Sequence, residues 1–186
     1  MRKLPKQKTC KICRTIFVPV RPMQPVCQTF ECMSSYLDNK RDSDFKKETK
    51  RRKKALLESD IDFWAAKAKK ACHDYIKLRD FDKPCISCGT TANVQYAAGH
   101  YRPSGVNAAL RYDESNIHKQ CNRYCNSGMS GNLTLYRIGL IQRVGIETVE
   151  WLESNHDVKR WTIDDLKAVI EHYQSKTKAL RAEIQP

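Results

Sequence analysis

Eight of the nine cysteines of the chain fall into two groups with the spacing of metal ligands. The first group is a Cys-x2-Cys pair followed by a Cys-x4-Cys pair, formed by Cys10, Cys13, Cys27 and Cys32. The second combines Cys-x2-Cys with Cys-x3-Cys and is formed by Cys85, Cys88, Cys121 and Cys125. Two close pairs can place four thiolates around one zinc ion, and this closed shell leaves no position for a substrate. We therefore expect two structural zinc ions, with any catalysis carried by other residues.

Side chains that can bind metal or move a proton lie close to the second cysteine group. His100, Asn116 and His118 stand between its two pairs, and Asn126 follows its last cysteine directly. An imidazole with the ordinary pKa of about 6.5 can accept a proton near neutral pH. An amide oxygen can bind a hard cation such as magnesium. A single histidine is usually structural, but this concentration of side chains between zinc-binding pairs in a basic protein favours a catalytic centre.

The composition favours a nucleic-acid partner. The 186 residues carry 34 Lys or Arg against 21 Asp or Glu, a formal net charge of +13, which attracts polyanions. The length suits one ordinary domain or two small ones and excludes a large multidomain enzyme. No apolar run approaches the length of a membrane span or of a signal peptide. We expect a soluble intracellular protein, in which close cysteines are metal ligands rather than disulfides.

The positive charge is concentrated in residues 1–58, which we call the basic arm. This segment holds 16 basic and 6 acidic residues, whereas the remaining chain holds 18 and 15. Four prolines near its beginning suit short strands and knuckles. Residues 38–58 are charged almost throughout, which predicts a solvated helix or a flexible linker rather than a packed element. Four consecutive cations in this stretch are candidates for DNA phosphate contacts: Arg51, Arg52, Lys53 and Lys54.

Helical spacing of apolar residues begins at Ile61. Ser59 and Asp60 precede it, and both residue types commonly cap a helix. Cys72 and His73 lie within this predicted helix. A buried apolar role for the thiol and a core or surface position for the imidazole are more common there than metal binding.

Three further helices are indicated towards the C-terminus. Asn132 is placed to cap a helix that runs through Ile141, and Gly145 separates this helix from a second, shorter one. Thr162 followed by Asp165 resembles an N-terminal capping box. A long amphipathic helix is expected to follow it.

Together these patterns predict a small α+β protein stabilised by zinc. Four segments are expected: an N-terminal zinc knuckle or ribbon over 1–37, a basic linker or helix over 38–58, a helix plus the cysteine-rich core over 59–133, and a helical region over 134–186.

Five strings of the sequence carry a family resemblance: PCISCG at 84–89, AGHYR at 98–102, LRYDESNIHKQC at 110–121, SGNL at 130–133 and ESNHDVKRWTI at 153–163. Through them the chain resembles the NinG family of lambdoid phage recombination proteins, also called Rap, over essentially its full length. The cysteine-rich centre also resembles the ββα-metal nucleases of the His-Asn-His class. These resemblances imply a treble-clef-like ββα-metal core. They also imply a metal-dependent endonuclease selective for branched DNA, such as displacement loops and Holliday junctions.

The resemblance also implies roles for individual residues. His100 would be the general base that deprotonates the attacking water. Asn116 would orient or polarise His100 through a backbone contact across the hairpin. Asn126 would offer its amide oxygen to one catalytic magnesium or manganese ion. Three neighbouring cations are candidates for clamping phosphate: Arg102, Arg111 and Lys119.

The chain departs from the nuclease class at Gly99. Many members carry an acidic metal ligand immediately before the first histidine, where this chain has glycine. Asp113, Glu114 or His118 could supply the missing ligand, and the sequence does not choose among them.

The expected partners are branched and single-stranded DNA in the cytoplasm of a host cell, with no membrane contact. Symmetric cutting of a junction would favour a twofold dimer, so a homodimer is a further expectation. Two alternatives stay open. The chain could be a non-catalytic recombination mediator that holds DNA through its basic arm and a degenerate nuclease centre, or an RNA-associated zinc protein.

Deletion of residues 1–58 is predicted to weaken DNA binding and to flatten its salt dependence. The deletion removes most of the net positive charge, so fewer counterions are released when DNA binds. The measurement is the dissociation constant for branched DNA at several salt concentrations. Cleavage at saturating protein should survive. An unchanged salt slope would show that the arm makes no phosphate contacts.

Overall fold

The computed structural model describes residues 6–184 and has two compact units, Met1–Ser59 and Asp60–Pro186. Residues 1–5 of the predicted knuckle segment and residues 185–186 of the predicted helical region lie outside the described residues. The boundary between the two units falls after residue 59 of the chain, and neither expected segment boundary, after 37 or after 133, separates compact units in the part of the chain described. The fold is a mostly helical α+β arrangement with two small sheets, as the sequence predicts at this level.

The first unit begins with a minimal antiparallel hairpin. Its strands are β1 (Lys8–Thr9) and β2 (Ile16–Phe17), with Lys8 opposite Phe17. The amide of Cys10 donates to the carbonyl of Thr15 at 2.8 Å and so closes the turn. Arg14 has a φ of 65°, because the tight knuckle requires a left-handed residue there. Little apolar surface is buried in this unit, so it depends on its cysteines.

Helix α1 (Phe30–Glu58) follows without a break between the knuckle and the charged stretch. Of its residues only Cys32 is buried. Ion pairs within the helix join residues three or four positions apart, for example Arg41 with Asp38 and Lys54 with Glu58. Such pairs stabilise a helix by a few tenths of a kcal/mol each. The charged stretch is therefore a solvated helix rather than a flexible linker, and the expected boundary after residue 37 falls inside it.

The second unit opens with α2 (Ile61–Arg79). Asp60 caps this helix, since its carboxylate accepts from the amide of Asp62 at 2.9 Å. Ser59 instead ends α1, where its amide and hydroxyl donate to carbonyls of the last turn. Cys72 is buried in the core, as the sequence predicts, and its burial raises the pKa of the thiol to about 12.

The centre of the second unit is an antiparallel hairpin of β3 (Tyr96–His100) and β4 (Ile117–Cys121). Tyr96 pairs with Cys121 at one end, and His100 pairs with Ile117 at the other. A 3₁₀ turn (Ala109–Tyr112) lies in the connection. A π-helix (Asn122–Gly128) follows β4 directly. A residue at position 128 with a Cβ would come within 2.7 Å of the Arg123 carbonyl, so this wide turn needs glycine there.

Two hydrophobic cores lie on the two faces of this hairpin. The first joins α2 and α5 (Ile163–Ile184) to one face through residues that include Ile76, Ile117 and Tyr173. The second packs α3 (Leu133–Val144) and α4 (Ile146–Ser154) against Tyr101, which follows β3, and includes Tyr136 of α3. Because strand side chains alternate between faces, neighbouring residues of the hairpin face different cores.

Helix α3 packs directly against the cysteine-rich loop that precedes β3. At Gly139 a Cβ atom would lie 2.0 Å from the carbonyl oxygen of Ile86, so only glycine permits this approach. The tyrosine hydroxyl of Tyr136 donates to the carbonyl of Gly99 at 2.8 Å and fixes α3 to β3. These contacts hold α3 against the loop of the first cysteine pair and against β3.

The predicted capping box of α5 is present. The hydroxyl of Thr162 accepts from the amide of Asp165 at 3.1 Å, and the Asp165 carboxylate accepts from the amide of Thr162 at 2.9 Å. Among residues 6–184 no helix has the length and apolar character needed to cross a membrane.

A buried carboxylate ties α2, β4 and α3 together. Asp80 accepts two hydrogen bonds of 2.9 Å from the Arg79 guanidinium and one of 3.1 Å from the amide of Lys119. Lys83 and Arg143 lie 3.1 and 3.7 Å from the same carboxylate. Burial alone would raise the pKa of Asp80, but its bonds to Arg79 and the surrounding positive charges hold it well below the usual value.

Asp80→Asn is predicted to destabilise the second unit by about 3–5 kcal/mol, because it leaves Arg79 without its buried partner. All three tryptophans lie in this unit, so denaturant unfolding followed by tryptophan fluorescence measures it selectively. A lowered pKa stabilises the fold above the unfolded-state value of about 3.9. The difference between wild type and variant should therefore shrink below about pH 4.

Asp74→Asn is the matched control. Asp74 pairs with Lys70 on the surface of α2, with its side chain 48% exposed, and such pairs contribute about 1 kcal/mol or less. Equal effects of the two substitutions would contradict the role assigned to Asp80.

Candidate functional site

The first cysteine group is brought together by the β1–β2 turn and the start of α1. The sulfur atoms of Cys13 and Cys27 are 3.8 Å apart, and the amide of Cys27 donates to the Cys10 sulfur at 3.4 Å. Burial raises the pKa of Cys10, but main-chain N–H groups, that of Cys27 foremost, lower it to about 6. The thiolate that binds zinc is thereby favoured.

The second cysteine group closes the open end of the β3–β4 hairpin. The sulfur atoms of Cys88 and Cys121 are 3.7 Å apart. The amide of Cys121 donates to the Cys85 sulfur at 3.3 Å, and the amide of Cys125 donates to the Cys121 sulfur at 3.4 Å. The group therefore joins the loop before β3 to the end of β4 and the π-helix.

Both groups fit a zinc ion. Zinc–sulfur bonds of about 2.3 Å in a tetrahedron place neighbouring sulfur atoms about 3.8 Å apart. The 3.7 and 3.8 Å separations agree with that geometry and are far longer than a disulfide bond. Within residues 6–184 these two quartets are the only groups of three or more His, Cys, Asp or Glu with ligand atoms within 4.8 Å of one another. Each could hold one structural zinc ion.

Asn132 supports the second quartet instead of capping α3. It lies at the N-cap position with a left-handed φ of 45°, and its side chain makes no capping hydrogen bond. Its amide donates to the Cys125 sulfur at 3.4 Å. The prediction of a side-chain cap is therefore wrong. Because a thiolate attracts a donor in the buried interior, the amide bonds to sulfur rather than to the helix.

The Nε2 atom of His100 lies 3.0 Å from the carbonyl oxygen of Arg111, at the end of β3. Because a carbonyl only accepts, Nε2 carries the proton and Nδ1 keeps its lone pair. Burial lowers the pKa of His100, and the hydrogen bond to Arg111 opposes this shift. The imidazole is therefore neutral near pH 7 and can act as a base.

His73 of α2 lies beside His100, with the two ring centres 5.6 Å apart. Burial, followed by the charge of His100, lowers the pKa of His73 to about 4. Its position beside the end of β3 could not be predicted from the sequence, because helical spacing does not show which element packs against it.

No hydrogen bond joins the Asn116 side chain to the His100 ring. Asn116 is fully buried, and its amide oxygen accepts from the amide of Arg102 at 2.7 Å. Its amide nitrogen donates to the carbonyls of Arg102 and Leu110 at 3.0 Å. Asn116 therefore links Arg102, which follows β3, to Leu110. Leu110 is the neighbour of Arg111, whose carbonyl bonds to His100. The effect of Asn116 on His100 is indirect.

His118 lies on the opposite face of the hairpin from His100. It pairs with Gly99, and its ring packs against Tyr136 of α3. Burial lowers its pKa to about 3, and its Nδ1 atom has no hydrogen-bond partner in the described part of the chain. The expectation that His118 could replace the missing carboxylate beside His100 is not met, because adjacent strand positions face different sides.

The space beside Gly99 is filled by Gln120. A Cβ atom at position 99 would lie 2.3 Å from the Gln120 amide oxygen, so an acidic side chain does not fit without moving it. The Gln120 amide donates to the hydroxyl of Ser87 at 2.7 Å and to the carbonyl of Gly131 at 2.5 Å. Gln120 thus braces both segments of the second cysteine group, a role that no sequence pattern indicates.

The two acidic candidates are committed elsewhere. The Asp113 carboxylate accepts from the amide of Ser115 at 2.8 Å, in a local turn. The Glu114 carboxylate lies 2.5 Å from Lys176 and 3.6 Å from His172, both on α5. No ion pair or hydrogen bond joins either carboxylate to His100 among residues 6–184.

Asn126 lies in the π-helix that follows β4. Its side-chain amide donates to the Asn122 side-chain oxygen at 3.1 Å, and the main-chain N–H of Asn122 donates to the carbonyl of Gln95 at 2.9 Å. Within the described residues no hydrogen bond or ring contact links His100 to Asn126.

The cations near the hairpin are partly engaged. Lys119 donates to the carbonyl of Phe81 at 2.8 Å and lies 4.4 Å above the ring of Tyr96. Arg111 donates to the carbonyl of Ser104 at 3.3 Å. The Nε atom of Arg102 is buried without a hydrogen-bond partner in the part of the chain described. In the basic arm, Arg51 and Arg52 both bond to Glu48, and Lys54 pairs with Glu58.

Comparison with known proteins connects these features to one family. The model of the family described as "NinG: Bacteriophage Lambda NinG protein" matches residues 2–183. The protein ninG of Escherichia phage lambda is 50% identical over 119 residues, which cover 64% of this chain and 58% of that protein. The protein ninG of Salmonella phage P22 is 49% identical over the same shares. The match to phage lambda thus spans less than two thirds of the relative's length.

A longer match involves Enterobacteria phage H19B. Its protein ninG is 39% identical over 194 aligned positions, which cover 95% of both chains. No solved structure matches the chain.

Cys85→Ala is predicted to reduce the zinc content of the purified chain from two ions to one, because it opens the second quartet and leaves the first intact. Inductively coupled plasma mass spectrometry measures the content. Cys72→Ala is the matched control, since Cys72 is buried but belongs to neither quartet, and it should retain two ions. Two ions in the Cys85 variant would contradict the assignment.

Proposed function

The chain belongs to the NinG family of phage proteins, and on that premise we propose that it is a structure-selective DNA endonuclease that nicks branched recombination intermediates such as displacement loops and Holliday junctions. A divalent metal requirement and a treble-clef-like ββα-metal core belong to the same proposal. The arrangement of β3, β4 and a following helix around a cysteine quartet supports it.

The observation that carries the proposal is the state of His100. Its Nε2 proton is held by the Arg111 carbonyl, its pKa is lowered by burial, and its Nδ1 lone pair is available. A neutral imidazole of this kind can accept a proton from water as the water attacks phosphorus. The phosphorus–oxygen bond to the leaving nucleotide then breaks, and the leaving oxygen takes up a proton.

A catalytic magnesium ion would need ligands beyond the side chains at His100. Magnesium prefers oxygen ligands, commonly one or two carboxylates together with substrate phosphates and water. His100 lies beside the imidazole of His73 and makes no hydrogen bond or ion pair with a carboxylate of the described residues. Asn126 has an amide oxygen suited to a hard cation, and no hydrogen bond joins it to His100 among the described residues. The ion would therefore take further ligands from DNA phosphates and water.

Electrostatics supports DNA as the substrate. The net charge of +13 favours association with a polyanion. Helix α1 contributes a solvated surface with cations along much of its length, including Lys53, which has no ion pair among the described residues. Contacts of this kind bind the phosphate backbone without reading the sequence, as expected for a protein that selects DNA shape.

A second candidate function is a non-catalytic recombination mediator. It is favoured by one specific observation, the Gln120 side chain that fills the space beside Gly99, where an acidic metal ligand would otherwise stand. On this alternative the cysteine quartets and the basic arm bind branched DNA and no strand is cut. Nicking by purified protein with added magnesium or manganese decides between the two candidates.

His100→Ala is predicted to reduce nicking of branched DNA by about 10²- to 10⁴-fold, because it removes the general base. Binding of the same DNA and the zinc content should not change. Because the active form is the neutral imidazole and its pKa is lowered, the wild-type rate should rise with pH along a limb centred below about 6.5 and be level by pH 7.

His172→Ala is the matched control, since this exposed histidine of α5 lies beside Glu114 and should leave nicking unchanged. If the His100→Ala variant nicks DNA at the wild-type rate, His100 is not the general base. An acid limb centred above 6.5 would show that a different group titrates.

A further inference from the structure

A cavity of about 730 Å³ lies between the two segments that supply the second cysteine quartet. Seven residues line it: Cys88, Thr90, Val94, Gln95, Cys121, Arg123 and Tyr124. One wall comes from the loop before β3 and the other from the end of β4 and the π-helix. Its size falls in the range of about 300–1,000 Å³ that is usual for small-molecule sites. The quartet on both walls makes the cavity rigid.

Tyr124 presents an aromatic surface to solvent at this cavity. The residue is 63% exposed, and Val94 on the facing wall is 47% exposed. No ring contact or side-chain hydrogen bond of Tyr124 occurs among residues 6–184. The π-helix explains this position, because Cys125 points inwards to the quartet and its neighbour Tyr124 must then point away. The ring of Tyr124 is thus available to a ligand, beside an apolar wall that includes Val94.

We propose that this cavity binds one unpaired nucleobase of branched DNA, stacked on the ring of Tyr124, with Arg123 contacting a neighbouring phosphate. The proposal rests on DNA being the substrate, as proposed above, but not on cleavage. Proteins that bind unpaired strands stack bases on aromatic side chains and follow the backbone with cations. Branch points supply unstacked bases, whereas uninterrupted duplex DNA does not.

The lining combines an aromatic ring with neutral polar groups, which suits a nucleobase. No acidic residue lines the cavity, and Arg123 at the π-helix is its single basic side chain. The polar groups are the Thr90 hydroxyl and the Gln95 amide, which are neutral groups of the kind that bond to base edges. Cys88 and Cys121 belong to the quartet that could hold zinc.

The cavity also adjoins the polar chain that leads to Asn126. The Asn122 amide nitrogen lies 3.3 Å from the Gln95 side-chain oxygen, and the Asn122 side-chain oxygen accepts from Asn126. A base held in the cavity would therefore place its own backbone near the residue that the family resemblance marks as a metal ligand. Base recognition and metal binding would then occur at the same end of the hairpin.

The test compares affinities of the full, zinc-loaded chain for a DNA junction with one single-stranded arm and for duplex DNA of equal length. Tyr124→Ala is expected to weaken junction binding by about 5- to 150-fold, the fold-change that corresponds to loss of one base–aromatic stack, and to leave duplex binding unchanged. Tyr124→Phe keeps the ring and should bind the junction like wild type. Phe81→Ala removes another exposed aromatic ring, outside the cavity, and should change neither affinity.

A fluorescent base gives a second readout. 2-Aminopurine placed at the branch point should be quenched when wild type or Tyr124→Phe binds and should remain bright with Tyr124→Ala. Unchanged zinc content and unchanged tryptophan-monitored unfolding show that the Tyr124→Ala fold is intact. Equal loss of junction and duplex binding would overturn the proposal, as would wild-type junction binding by Tyr124→Ala.

The outcomes for this proposal and for the endonuclease proposal are separable. Junction binding that depends on Tyr124 without any nicking by wild type would support the base site and reject the endonuclease. Nicking that depends on His100 together with junction binding that is indifferent to Tyr124 would support the endonuclease and reject the base site.

Discussion

The second unit depends on four sulfur atoms that lie within 4.8 Å of one another and come from the two chain segments at the open end of the β3–β4 hairpin. Four thiolates at this separation would repel one another, and a zinc ion bound between them would remove that repulsion. The quartet sets where β4 ends, since Cys121 is also the residue before the π-helix. The loop of Ile86, between its first two cysteines, lies against Gly139 of α3. The quartet therefore positions a helix that contributes none of its sulfur atoms.

The hairpin itself is placed by the cores on its two faces and by Asp80. The Arg79 guanidinium donates to the carbonyls of Glu114 and Ile117 at 2.9 Å while it pairs with Asp80. The end of α2 is thus joined to β4 at the opposite end from the quartet. This double attachment explains how a hairpin of two five-residue strands holds its register. It also explains the sides on which the polar residues fall, because the register decides that His100 faces α2 and His118 faces α3.

Features governed by local sequence could be predicted, and features governed by packing could not. The capping box at Thr162, the cap at Asp60 and the close cysteine pairs within each quartet depend on residues a few positions apart, and all were predictable. Asn132 failed as a cap because a buried sulfur atom competes for its amide. A second failure was the grouping of polar residues by their closeness in sequence. Strand alternation places His118 and His100 on opposite faces of the hairpin.

The glycine before His100 shows how these constraints combine. An acidic residue at position 99 would face the side on which Gln120 lies. The Gln120 amide fills that space and joins Ser87 to Gly131, which strengthens the cysteine-rich end of the hairpin. A carboxylate at position 99 would have to displace this buried amide, at a cost of several kcal/mol. Position 99 therefore accommodates a structural brace in place of an acidic side chain. If the proposed endonuclease uses a metal ion, that ion must take ligands from DNA phosphates and water.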